Sequence, residues 1–162
     1  MNRNLLFALG IILLASTASA QERTALVGGR LIDGYGGPPL GDSVILVEDG
    51  RITKVGSVDT LDVPDGFKTI STEGMDVLPG LWESHEHLTL VGHADYPHWQ
   101  STYADRYASE IMPAAAVQLL LAGVTSARDV GAALDISIDI RERIASGEIP
   151  GPRLFVSGPF LQ

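Results

Sequence analysis

The chain is predicted to be α/β, with a strand-rich first part followed by parallel βα units. Three observations predict this. Short β-branched segments separated by Gly/Pro turns fill residues 24–78, with Asp49-Gly50 between two apolar runs. After Pro79 strand-like and helix-like segments alternate at about 30 residues per unit. Composition is that of a folded protein, with 45% hydrophobic and 19% charged residues, so disorder is not the default reading.

The elements follow in order. Residues 1–20 are read as an export signal: Arg3 gives a positive start, Leu5 to Ala15 an apolar run, and Ala18 to Ala20 a small-residue cleavage site. That run is too short for a spanning helix, which needs about 20 apolar residues. The mature protein is therefore expected to be exported, periplasmic or secreted, with no membrane anchor after cleavage. Residues 21–78 read as an antiparallel sheet or half-sandwich. "TALVGGRLID" and "DSVILVEDGRITKVG" supply strands, and Asp-Gly flanked by apolar runs is the strongest short-range hairpin signal. "DGYGGPPLGD" is a connecting loop with no following helix and no Lys-Ser/Thr, so it does not read as a phosphate loop.

In residues 79–162, "LWESHEHLTL" is expected as a strand and 91–108 as a loop rich in aromatics and histidine. "IMPAAAVQLLLAG" is expected as a helix starting near Met112 and closed by Gly123. "VTSARDVG" reads as a second strand, "LDISIDIRERIASG" as a second helix closed by Gly147, and "IPGPRLFVSG" as a third strand.

Charge and cysteine content narrow the chemistry. The formal net charge is −9, which argues against nucleic acid or an anionic membrane surface as partner. There is no cysteine, so disulfides, thiolate ligands and cysteine nucleophiles are excluded and any metal site must use histidine and carboxylate. No Gly-x-Ser-x-Gly elbow is present either.

The segment with the most chemistry is "VLPGLWESHEHLTL". If it is a regular strand, alternation puts Glu83, His85 and His87 on one face, with Ser84 and Glu86 on the other. Imidazoles at i and i+2 lie about 6–7 Å apart along a strand, close enough for both to reach one cation at about 2.0–2.1 Å. On an exposed strand the same pair would mean nothing. The flanking "VLPGLW" is apolar, however, and solvent-poor imidazoles without partners are costly.

"DVLPGLWESHEHL" resembles the first barrel strand of the amidohydrolase superfamily, an apolar run and Pro-Gly-Leu followed by Asp-x-His-x-His. "LIDGYGGPPLGDSVILVEDGRITKVG" resembles that family's N-terminal β-sandwich, and "LLLAGVTSARDVG" its first helix and second strand. "IPGPRLFVSGPFL" is similar to the third-strand segment of the prolidase-like and imidazolonepropionase-like branch. The resemblance covers residues 24–162 in the family's order. It implies a β-sandwich part over 21–78 and, over 79–162, the first three strands and two helices of a truncated (β/α)8 TIM barrel.

It further implies that His85 and His87 ligate a divalent metal, zinc being the expected ion, with one or two ions in the full-length enzyme. Glu83 stands where the family has Asp and is expected to act behind the ligands, orienting an imidazole or closing the strand. The implied activity is metal-assisted hydrolysis of a C–N bond in a small-molecule or dipeptide substrate, including an Xaa-Pro dipeptide. An esterase- or lactonase-like activity, or a non-catalytic exported binding module, stands as the alternative.

Three further residues are substrate-contact candidates. His93 and His98 fall in the segment after the histidine pair, with Tyr96 and Trp99, where barrels place substrate contacts. The other reading is a loop packed by its own aromatics. Arg128 could receive a substrate carboxylate as a bidentate pair or pair with Asp129. A complete barrel takes about 250 residues, so residues 79–162 alone are expected to lack the later ligands and the acid/base group, and to be inactive in isolation.

Overall fold

The computed structural model describes residues 22–90 and 95–159. The export-signal segment and His93 lie outside the described residues. The chain divides into two compact units, with the boundary between Leu78 and Pro79.

The first unit is one five-stranded sheet: β1 (Arg23–Leu31), β2 (Leu40–Glu48), β3 (Arg51–Ser57), β4 (Lys68–Ser71) and β5 (Asp76–Val77). The order is β3-β2-β1-β4, with β5 pairing the far end of β1. Asp49-Gly50 closes the β2–β3 hairpin as anticipated. Both residues have positive φ, +49° and +74°, as a two-residue turn matched to strand twist requires. The sheet is mixed rather than antiparallel, because β4 and β5 both run parallel to β1. The connections from β3 back to β1's other edge permit this; alternation within each strand does not report it. Ala25, Val44 and Leu46 form the buried face, covered by Leu61, Val63 and Phe67.

β1 changes partner at Gly28-Gly29, where its register against β2 shifts. Thr72 fills the gap between β4 and β5. Its N–H donates to the Val27 carbonyl at 2.8 Å, and its Oγ1 accepts from the Gly29 N–H at 2.9 Å. A Cβ on Gly29 would lie 2.7 Å from that Oγ1, so the approach needs glycine. Because the Gly29 amide is buried, Thr72→Val strands it. The expected loss is about 1–2 kcal/mol, read as a lowered urea midpoint with an unchanged m-value in the full-length protein.

The second unit contains a three-stranded parallel sheet, β6 (Leu81–Glu86), β7 (Val124–Asp129) and β8 (Arg153–Val156), with β7 in the centre. Between β6 and β7 lie α1 (Tyr96–Tyr103), a 3-10 turn, a single π-helical turn and α2 (Met112–Leu121). Between β7 and β8 lies α3 (Leu134–Ala145). Parallel neighbours need such crossovers. Gly123 and Gly147 have φ of +82° and +78° and end α2 and α3 as C′ residues.

Met112, Ala115 and Ala116 of the α2 helix and Ile140 of α3 pack on Ala127 of β7 and Leu154 of β8. The alanines let backbone and helix approach closely. The opposite sheet face carries Trp82 and Phe155, whose rings lie 5.2 Å apart and which stay about half exposed. Among the described residues no helix is long and apolar enough to cross a membrane.

Two sequence expectations change here. The segment expected as loop contains α1, started by Asp95, whose carboxylate accepts from the His98 N–H at 3.1 Å, and by Pro97 in the first turn. The strand expected to run through Leu90 stops at Glu86. A turn follows, closed by the Leu90 N–H on the His87 carbonyl at 2.9 Å.

Candidate metal centre and adjoining cleft

Residues near the C-terminal end of β6 are aimed by a bulge. Glu83 is in register with Ala127 and Glu86 with Asp129. Ala127 and Asp129 are two apart on β7 and share a face. Glu83 and Glu86, three apart, therefore share a face too, which one extra residue in β6 allows. This corrects the simple alternation, under which Glu83 sided with the histidines and Glu86 opposed it. The Glu83 carboxylate accepts from the backbone N–H of His85 at 3.0 Å. That bond folds the side chain back on the bulge it precedes, so Glu83 holds the local backbone from which His85 projects.

His85 and His87 are brought together. Their Nε2 atoms lie 3.3 Å apart, with the rings edge to face and centroids at 5.1 Å. Two nitrogens about 2.0–2.1 Å from one tetrahedral ion lie roughly 3.3–3.4 Å apart, so the observed separation fits two ligands of a single cation. His85 is exposed and His87 half-buried, with its Nδ1 on the buried side. Among the described residues no third histidine or carboxylate joins them to make a larger ligand set.

Acidic groups lie behind the pair. Asp129 ends β7 at 1% exposure, and its Oδ1 accepts from the Gly131 N–H at 3.1 Å. Burial pushes its carboxyl up; the Gly131 N–H, the charge of His87 and the Leu88 N–H pull the other way. The Glu86 carboxyl is also held above its ordinary value, first by burial and then by the negative charges of Asp129 and Glu83. A cation beside such a cluster is favoured electrostatically.

The remaining candidates are placed separately. Arg128 is exposed and alternates with the buried Asp129, so the two occupy opposite faces of β7, and no ion pair joins them among the described residues. Arg128 is in register with Phe155 on the face away from the helices. His98 sits on the α1 helix, with Nδ1 at 3.4 Å from Thr102 Oγ1 and its ring edge-on to Tyr103. Trp99 donates through Nε1 to the Thr89 carbonyl at 2.8 Å, tying α1 to the turn after His87. A cleft of about 410 Å³ opens at the C-terminal ends of all three parallel strands, touching Thr89 after β6, Ala132 after β7 and Pro159 after β8. Tyr107 and Ile136 add to its apolar wall. Sequence reasoning missed both this cleft and the place of Asp129, since each depends on which strand ends lie side by side.

Comparisons with known proteins bear on the family and the fold. Residues 77–162 match the sequence pattern described as "Amidohydrolase family". An imidazolonepropionase from Micrococcus luteus is 43% identical over 56 residues, which is 35% of this chain and 14% of that protein. The structure of molinate hydrolase superposes with a TM-score of 0.77 at 36% identity, covering 87% of this chain and 31% of that one. A prolidase solved with N-methylphosphonate-L-proline gives 0.69 at 26% identity, covering 84% and 32%. The chain thus spans less than a third of the length of each of these relatives.

Proposed function

We propose that this chain, which belongs to the amidohydrolase family, carries the first two metal ligands of a hydrolase acting on C–N bonds. The observation that carries the reading is the 3.3 Å approach of the two Nε2 atoms at the C-terminal end of a parallel strand, where this kind of α/β architecture places its chemistry. His85 and His87 would hold the ion. With two imidazoles and no thiolate available, zinc suits the donors. When bound, a divalent ion supplies Lewis acidity toward a carbonyl and activates water near neutral pH.

The chain's own groups prepare that site. Glu83 pins the bulge that presents His85. The Trp99–Thr89 bond holds the turn following His87. The cleft at the strand ends offers an apolar wall for a substrate side chain, and its position favours small substrates. Likeness to the prolidase solved with a proline phosphonate supports a dipeptide, including one with C-terminal proline, as the substrate of the full-length protein. A three-strand start to a (β/α)8 barrel is the architecture this reading implies, and Leu5–Ala15 with Ala18–Ala20 supports export.

The test is hydrolysis by the full-length protein of matched dipeptide and ester panels, before and after chelation. Dipeptide turnover should vanish on chelation and return with Zn²⁺. Turnover indifferent to chelation would overturn the metal reading. Ester hydrolysis far exceeding that of dipeptides would shift the assignment to the esterase-like branch, and metal binding without turnover on either panel to a binding module.

A further inference from the structure

We propose that Asp129 is a positioning residue for His87, its buried Oδ2 receiving the Nδ1–H of the imidazole so that Nε2 faces the metal. This rests on the metal-centre reading above and adds a member that the histidine motif does not contain.

Three observations carry it. The first is place: Asp129 is in register with Glu86, the residue before His87, and the Val130 N–H donates to the Glu86 carbonyl at 3.0 Å. The two strand ends are thus locked side by side. The second is an asymmetric carboxylate. Oδ1 is engaged by the Gly131 N–H at 3.1 Å, whereas Oδ2 is buried and makes no hydrogen bond of normal geometry among the described residues, although the Leu88 N–H also acts on the carboxyl. A buried carboxylate oxygen left so is costly, and the charge of His87 acts on this carboxyl. The third is the direction of the imidazole. Nε2 of His87 is turned to Nε2 of His85, which leaves Nδ1 on the buried side.

A histidine that gives one nitrogen to a metal commonly donates its other N–H to a carboxylate, which fixes the tautomer and raises ligand basicity. Asp129 is rigid enough for this. It ends the central strand, and its carbonyl accepts from the Ser157 N–H at 3.0 Å on the β8 side. The bland role for this carboxylate is to hold the turn at Gly131. Asp129→Asn separates the two, because the amide oxygen still accepts from the Gly131 N–H while the charge and one acceptor are lost.

The experiment measures Zn²⁺ affinity of the full-length protein by chelator competition, wild type against Asp129→Asn, together with ¹⁵N chemical shifts of the His87 ring in the metal-free wild type. Affinity should fall about 10–100-fold in the variant, and His87 should populate the Nδ1–H tautomer. Equal affinities, or an Nε2–H tautomer in the wild type, would overturn the proposal. Should Asp129→Asn fail to fold, the tautomer measurement on the wild type decides alone. Wild-type protein that takes up no divalent ion would overturn the metal-centre reading, and the tautomer would still report on Asp129.

Discussion

On the metal-centre reading proposed above, His87→Ala in the full-length protein should remove bound metal and lower kcat/KM for the preferred dipeptide by at least about 10³-fold. A metal ion contributes several kcal/mol to stabilising transition-state charge, and each 1.36 kcal/mol is tenfold in rate. His85→Ala should have the same consequence, because the two Nε2 atoms at 3.3 Å are proposed to act as one ligand pair, of which neither alone would hold an ion in place. The double variant should be little worse than either single one, since residues acting as a unit are non-additive. His98→Ala is the control. Its ring interacts with Thr102 and Tyr103 inside the α1 helix, so metal content should be unchanged and turnover altered only a few-fold. Metal analysis and steady-state kinetics on the four proteins check this. Retention of stoichiometric metal by His87→Ala would sink the assignment of this pair.

The pairing of His85 with His87 was legible in the sequence, but for an incomplete reason. Regular alternation brings i and i+2 onto one face, and the pair is indeed together. Yet the strand ends at Glu86, and His87 belongs to the turn that follows. Alternation also assigned Glu83 and Glu86 to opposite faces, whereas the register places them on one. The cause is a bulge, and a bulge is set by what the neighbouring strand offers. That information sits more than forty residues away, in β7. Asp129 was hidden for the same reason. It was visible as an acid beside Arg128, and only the β6–β7 register sets it beside Glu86, the residue before His87.

Local chemistry was the part of the fold that sequence reported well. Asp49-Gly50 gave its turn because both residues tolerate positive φ, and Gly123 and Gly147 gave the helix ends for that reason too. The parallel βα alternation followed from strand and helix signals at regular spacing. What failed was non-local or weakly patterned. The parallel pairing of β4 and β5 with β1 depends on which sheet edge is vacant, which no single strand encodes. The α1 helix has no buried residue and little apolar asymmetry, so periodicity could not reveal it. Its start signal, Asp95 followed two residues later by Pro97, was present and is a local cap of ordinary kind.

Gly80→Val is the substitution expected to cost the fold most, at about 3 kcal/mol or more. The glycine of "LPGLW" has no need of left-handed backbone; what it provides is room. A Cβ built on Gly80 would lie 2.7 Å from Thr125 Cβ and would clash harder still with the Thr125 hydroxyl and methyl. Thr125 stands there because the register jumps from Leu81↔Val124 to Trp82↔Ser126, which makes it the extra residue between two ladder positions. The Leu81 N–H also donates to the Gly123 carbonyl at 2.9 Å, so β6 cannot swing away without breaking the start of its pairing with β7. Both sides of the contact are thus backbone-anchored, and Thr125 is β-branched, with few rotamers to retreat into. The Gly80→Val/Thr125→Gly double variant removes the three Thr125 side-chain atoms that a Cβ on Gly80 would strike. Its urea midpoint should lie well above the sum of the two single effects, with a coupling of about 1–3 kcal/mol. Additive behaviour, or a Gly80→Val loss below about 1 kcal/mol, would mean that β6 shifts to make space. In that case His85, five residues on and within β6, should lose its approach to His87, and on the proposed metal-centre reading Zn²⁺ affinity would fall even though stability did not.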